Sequence, residues 1–209
     1  MSQKRNETDD GRSEQPNIIV VIPDGIGHYL GCYGAPVKTP GIDRIAESGV
    51  RFAHSYCPAS QCSPSRASLM TGKYPHRHGC LGLVGSLGWE MNSEEKKLPE
   101  YMKELGYECH LFGNQHETAK PETLGYDMVH HDTSVSHTID FVMPEIIRWL
   151  DDRAGEKSAP PFFLAFSFQE VHRPWPEEPG AYDIDDPAEV TVPPYLPDTD
   201  ACRKELAQY

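Results

Sequence analysis

The sequence predicts an α/β fold, a three-layer sandwich in which helices cover a largely parallel central sheet. Two runs carry most of that expectation. Residues 17–22 (Asn-Ile-Ile-Val-Val-Ile) and 161–168 (Pro-Phe-Phe-Leu-Ala-Phe-Ser-Phe) are apolar without alternation, the pattern of strands buried on both faces. A third observation is the order of elements. Strand and helix patterns alternate along the chain, as in βαβ units rather than in stacked hairpins.

Residues 1–16 are polar and charged, and a disordered leader is expected there, followed by one folded region over 17–209. The leader has no apolar stretch of signal-peptide type, and 18–22 is too short to span a bilayer. The sequence as it stands therefore reads as cytoplasmic, with no membrane partner. Residues 17–22 are expected as a central strand, broken by Pro23-Asp24-Gly25, which leaves Asp24 at the strand's C-terminal end. Open α/β sheets bind ligands at that end. Thr39-Pro40 opens a helix that Gly49 closes. Residues 50–56 read as a short strand and Cys62 as a loop residue. Pro64 opens a helix over 65–71, stopped by Gly72. Residues 98–105 are amphipathic and stop at Gly106. A strand is expected at 107–112, a longer helix at 138–152 and a buried strand at 161–168. Residues 175–197, rich in Pro, Glu and Asp, read as an extended surface loop. A last helix follows over 201–209, capped by the Asp198-Thr199-Asp200 stretch. It has no stop signal, so the sequence reads as truncated.

Composition narrows the function. Hydrophobic residues make up 38%, above the disordered range, so the chain can bury a core. The net charge of −13 disfavours nucleic acid and anionic membranes as partners. It leaves a small anionic substrate open, because a metal and a few cations dominate locally. Six cysteines with no C-x-x-C pair are expected mostly as free thiols.

The stretch Cys62-Ser63-Pro64-Ser65-Arg66 followed by Leu69-Met70-Thr71-Gly72 resembles the signature of the sulfatase family, C-x-P-S-R then L-x-T-G. Other segments share the resemblance: residues 17–24 with Gly31-Cys32-Tyr33-Gly34, Thr39-Pro40 with Asp43, Gly113-Asn114-Gln115-His116, and 162–172 with Arg173-Pro174. The resemblance implies an alkaline-phosphatase-like fold. It also implies that Cys62 becomes formylglycine (3-oxoalanine), installed by a formylglycine-generating enzyme that reads C-x-P-x-R. The hydrated aldehyde carries two hydroxyls. One attacks sulfur and expels the alcohol or amine; the other then loses its proton and the carbon ejects sulfate, which splits one hard step into two. A serine would be left holding a stable sulfate ester. The resemblance further implies a divalent ion, Ca2+ with Mg2+ or Mn2+ as alternatives, held by oxygen ligands including Asp24 and the modified Cys62. Arg66, His116 and His172 take catalytic roles, and Asn114 and His172 contact the substrate, a sulfated small molecule or saccharide.

The chemistry of the same residues, taken without the resemblance, agrees in part. Cys62 just before a helix start meets N–H groups that favour an anion. Arg66, one turn on, can lie beside it with a guanidinium suited to sulfate. His172 has the pKa range of a general acid. Two departures weaken the pattern: Asp24 is a lone acid where the family pairs two, and Asn114 replaces a lysine. The second pair of metal ligands and a further lysine are expected downstream.

The C-S-P-S-R-A-S-L run, Pro121-Glu122-Thr123 after the G-x-x-H segment and the His172-Arg173 region are most similar to heparan N-sulfatases (sulfamidases), which would put an N–S bond at the site. Three alternatives stay open. One is a phosphonate or phosphate monoester hydrolase of the same superfamily. Another is a sulfatase-like binding protein with impaired catalysis. The third is a zinc site from Cys57, Cys62, His76, His78 and Cys80, whose spacings fit no standard structural pattern. A thiolate phosphatase loop needs C-x5-R where this chain has C-x3-R. Lys73 reads as a cation at a helix C-terminus, and His130, His131 and His137 read as loop residues. The sequence leaves the oligomeric state unspecified.

Overall fold

The computed structural model describes residues 15–130, 137–156, 158–175 and 184–209. The expected leader lies outside the described residues up to residue 14, as do His131 and 176–183 of the expected loop. Four parallel strands are ordered β1-β4-β2-β3. They are β1 (Ile18–Val21), β2 (Glu108–Gly113), β3 (Met128–His130) and β4 (Phe162–Ser167). The helices are α1 (Pro40–Ser48), α2 (Cys62–Thr71), α3 (Pro75–His78), α4 (Leu98–Glu104), α5 (Ile139–Ala154) and α6 (Asp200–Gln208), with 3-10 turns at Gly31–Tyr33 and Pro121–Leu124.

The chain divides into two compact units, one of Met1–Ile22 with Tyr56–Phe168, the other of Pro23–Ser55 with Gln169–Tyr209. The first holds the sheet and helices α2–α5. Its apolar residues fall on two faces, because side chains alternate along each strand. Cys109, Leu111, Phe163 and Ala165 pack with Met102 of α4, Leu124 and Tyr126 on one face. Phe112, Phe162 and Leu164 pack with Val142 and Ile146 of α5 on the other. The expected layering of helix, sheet and helix is therefore present. The second unit holds α1 and α6. Thr39 Oγ1 accepts the Gly31 N–H at 2.9 Å and donates to Asp43 Oδ1 at 2.9 Å, so the Thr-Pro-x-x-Asp run ties the start of α1 to the turn at Gly31–Tyr33. Thr39 and Asp43 leave no room there for a Cβ on Gly31.

Four expectations need correction. β1 pairs only with β4 and is an edge strand among the described residues, with Ile19 and Val21 nearly half exposed, not buried on both faces. Residues 50–56 form no strand; Val50, Phe52 and Tyr56 are exposed, and no ladder partner compensates their backbone. α2 begins at Cys62 rather than after it. Pro64 then occupies the third helical position, where its missing N–H is no loss because the first-turn donors have no helical acceptor. His130 is a strand residue of β3, not a loop residue.

All six cysteines are free thiols. Burial, with Asp127 nearby, pushes the Cys109 thiol up to about 11, and burial raises Cys80 as well, so both are poor nucleophiles at neutral pH. No helix among the described residues is long and apolar enough to cross a membrane.

His130 gives a pH signature. Its ring stacks on Phe112 at 4.0 Å between centroids, and its Nε2 lies 3.5 Å from Nδ1 of the buried His110. Burial, then the neighbouring His110, holds the His130 pKa below its ordinary value. The unfolded chain thus binds a proton from about pH 6.5 downward while the folded chain resists it. This contribution to stability is present in full above the unfolded value and declines as pH falls toward the folded one, by at most about 1.4 kcal/mol per unit. His130→Phe keeps the stack and removes the proton. Its denaturant midpoint should fall less than the parent's between pH 7 and pH 5; equal falls would contradict this account.

Candidate active site

The first unit gathers its polar groups where the strands end. Cys62 is the first residue of α2, half-buried, in the turn whose backbone N–H groups point out of the helix. Arg66, one turn on, is buried at 5% exposure. Its guanidinium Nη2 donates to Ser167 Oγ at 2.9 Å and to the Ile22 carbonyl at 3.2 Å. Ser167 Oγ itself donates to Ile22 O at 2.5 Å. Arg66 therefore ties α2 to the C-terminal ends of two adjacent strands, β1 and β4. Strand β2 joins the same edge through Asn114, whose N–H donates to Ser167 O at 2.9 Å. Gly113 makes that approach practicable. It pairs with Ser167 in the ladder, has φ of +74°, and a Cβ there would meet Ser167 O and Val142. Gly113→Ala should cost about 2–3 kcal/mol through the left-handed backbone and the clash. Urea midpoints would measure it, and a loss under half a kcal/mol would contradict the geometry.

His116 follows in a loop organised by Gln115, whose Oε1 accepts the Glu117 and Thr118 N–H groups and whose Nε2 donates to Thr118 O. The His116 N–H donates to Glu117 Oε2 at 2.8 Å. Backbone order at 114–118 is thus set by side chains that are themselves buried.

In the second unit, Asp24 and His172 are brought together: a carboxylate oxygen and a ring nitrogen lie within 4.8 Å. Asp24 is buried. His172 Nδ1 donates to Arg173 O at 2.6 Å, which directs Nε2 as the second functional nitrogen. Helix α6 holds the two segments. Tyr209 Oη donates to Gly25 O at 2.9 Å and its ring meets Trp175 edge-on at 6.0 Å. Trp175 Nε1 donates to Val171 O at 2.6 Å, and Arg173 pairs with Glu205 of α6.

The expected catalytic, substrate and metal residues all lie among the described residues, and the zinc alternative is not supported: among the described residues, Cys57, Cys62, His76, His78 and Cys80 do not come together as one ligand group. Lys73 pairs with Glu95. Sequence reasoning missed Ser167 and Tyr209. Ser167 looked like one more residue of a buried run; a lone hydroxyl near the end of an apolar strand was the available signal. Tyr209 left no signal, because its partners are remote in sequence.

Comparison with known proteins places these features. The sulfatase family model, described as "Sulfatase", matches residues 16–190. An ulvan-active sulfatase of Formosa agariphila is 40% identical over 114 residues, 54% of this chain and 22% of its own length. The human N-sulphoglucosamine sulphohydrolase is 28% identical over 229 aligned positions, covering 94% of this chain and 44% of its own. Among solved structures, that of BT4656 in complex with its substrate D-glucosamine-2-N,6-O-disulfate superposes with a TM-score of 0.65 at 23% identity, over 78% of this chain and 36% of that one. The chain spans less than half the length of these relatives. The first relative is closer per residue and the second matches over more of the chain, so kinship to sulfamidases does not stand out from kinship to other sulfatases. What the motifs, the α/β fold and the family match establish together is that this chain belongs to the sulfatase family of the alkaline phosphatase superfamily.

Proposed function

We propose that this protein hydrolyses sulfate esters or sulfamates of a saccharide, with residue 62, as formylglycine, supplying the nucleophile. The observation that carries the reading is the first turn of α2. Cys62 opens the helix, and Arg66 one turn on is anchored to Ser167 and Ile22 at the C-terminal edge of the sheet. A helix start favours an anion there, and a side chain pinned in place holds its geometry while charge develops.

The remaining roles follow from residue chemistry. His172, with Nδ1 committed to Arg173 O, offers Nε2 to protonate the departing oxygen or nitrogen. His116 and Asn114 follow β2 and contact the sulfate; Asn114 does so as a neutral hydrogen-bond donor in place of a lysine. Asp24 is a hard-oxygen donor at the end of β1 and fits a divalent ion of the calcium or magnesium kind. A calcium shell of six to eight oxygens needs more donors than this one carboxylate provides. Such an ion, when bound, would neutralise charge on the sulfate oxygens. The relatives named for N-sulphoglucosamine and for D-glucosamine-2-N,6-O-disulfate support a sulfated glucosamine as substrate, with an N–S bond among the candidates.

Mass spectrometry of the residue-62 peptide, after co-expression with a formylglycine-generating enzyme, tests the reading. A hydrazine-trappable aldehyde is expected; an unmodified thiol in every preparation would remove the mechanism. Rates on paired sulfate and phosphonate esters then separate the sulfatase from a phosphonate hydrolase, and turnover of phosphonates alone would overturn the substrate assignment.

A further inference from the structure

Against α2 lies a buried side chain that none of these roles uses. His78, the last residue of α3, is completely enclosed. Its Nε2 lies 2.9 Å from Ser68 Oγ on α2. Its Nδ1 accepts the Cys80 N–H at 3.2 Å, and Ser68 Oγ donates to Pro64 O at 2.8 Å. These contacts admit one placement of protons. A backbone N–H can only donate, so Nδ1 is bare. The single Ser68 proton is committed to Pro64 O. Nε2–H therefore donates to Ser68 Oγ, and the imidazole is neutral in one tautomer. An imidazolium would set Nδ1–H against the Cys80 N–H, two donors facing each other in an enclosed space.

We propose that His78 is a positioning residue: its neutral Nε2–H form latches α3 to α2 and, through Ser68 and Pro64, sets the first turn of α2, where Cys62 and Arg66 stand. Pro64 lies two residues from each of them. The segment after α3 holds the same turn from a second point, since the Val84 N–H donates to Ser63 Oγ at 3.0 Å. Ala67, Cys80 and Val84 pack together beside the latch. An apolar side chain could fill the space that His78 occupies. Histidine adds a donor and an acceptor at fixed separation, so α2 cannot rotate or slide without leaving a buried polar group unpaired. Glu95, paired with Lys73, and His76 are the charged or titratable groups that face the ring. Burial outweighs the pull of Glu95 and keeps the His78 pKa below its ordinary value. The bearing on catalysis rests on the role proposed for residue 62; the latch does not.

The test therefore uses the unmodified 209-residue chain, in which Cys62 is a thiol. Iodoacetamide labelling, read peptide by peptide, compares Cys62 with the exposed Cys57 as internal reference. His78→Asn retains an acceptor for the Cys80 N–H and loses the donor to Ser68; His78→Gln does the reverse. Asn should shift the Cys62-to-Cys57 rate ratio by about fivefold, equivalent to about 1 kcal/mol, and Gln should leave it near the parent value. Ratios equal to the parent's in both variants, alongside a lowered melting temperature, would reduce His78 to a packing residue and overturn the proposal. Nitrogen NMR of histidine-labelled parent protein needs no variant: Nδ1 bare and Nε2 protonated is expected at neutral pH and above, with protonation of Nδ1 displaced to lower pH than in the exposed histidines. The opposite tautomer, or an ordinary titration, would overturn it too. Failure to find formylglycine would sink the proposed function and leave these results standing.

Discussion

Arg66→Ala should destabilise the protein by about 3–4 kcal/mol, the largest loss expected from a single side chain near α2. The substitution strips a charged donor from Ser167 Oγ and the Ile22 carbonyl and leaves a cavity against two strand ends. Hydrogen bonds made by a charged group contribute roughly 1.5–3 kcal/mol each, and without the guanidinium Ser167 Oγ and the Ile22 carbonyl lose a charged donor and keep the bond between them. Arg66→Lys should lose less, about 1–2 kcal/mol, because an ammonium can reach one of the two acceptors but cannot span both. Denaturant unfolding of the three proteins measures the order. An alanine variant within 1 kcal/mol of the parent would show that the guanidinium is not the tie between helix and sheet. Activity in the same variants should fall further than stability explains, by at least about a hundredfold for Lys, if the anchored guanidinium also faces the sulfate.

The second large effect concerns residue 62. On the proposed mechanism, Cys62→Ala leaves no nucleophile, and turnover should drop by on the order of 10⁴-fold or more. Cys62→Ser is the more informative variant. A serine hydroxyl can attack sulfur and release the first product, but it has no second hydroxyl to expel sulfate. The expected record is a burst of at most one equivalent of released alcohol or amine, followed by a stop, with the residue-62 peptide heavier by one sulfate group. Sustained turnover by the serine variant would rule out a role for the second hydroxyl, and with it the formylglycine mechanism.

Much of the fold could be read from the sequence because its signals are local. Pro40 opens α1 and Gly49 closes it as expected, the apolar runs mark β1 and β4, and Thr199 caps α6 by accepting the Cys202 N–H. Misreadings fell where local pattern and tertiary context disagree. Residues 50–56 have strand-like composition, but a strand also needs a neighbour with a free edge, which a one-dimensional pattern cannot supply. Cys62 looked like a loop residue because Pro64 was taken as the first helical position, yet proline is tolerated anywhere in the first turn. His130 looked unremarkable because its partners, His110 and Phe112, sit on the adjacent strand and are set by register. The candidate site divides the same way. Cys62, Arg66, Asp24 and His172 belong to recognisable segments. Ser167 and His78 act through hydrogen bonds to residues distant in sequence or on another element, and no spacing announces those.

The packing of α2 also sets an order of events. Pro64 is fully enclosed and Arg66 nearly so, and both are wound into a helix. An enzyme that recognises a cysteine, a proline and an arginine along one strand of polypeptide finds only the cysteine partly open in the finished fold. If residue 62 is the formylglycine proposed above, conversion of its thiol has to compete with folding and win before α2 docks. Yield of aldehyde then depends on the lifetime of the undocked segment, so a faster-folding variant would emerge less completely matured, and a chain refolded without the enzyme would stay a thiol when the enzyme is added afterwards.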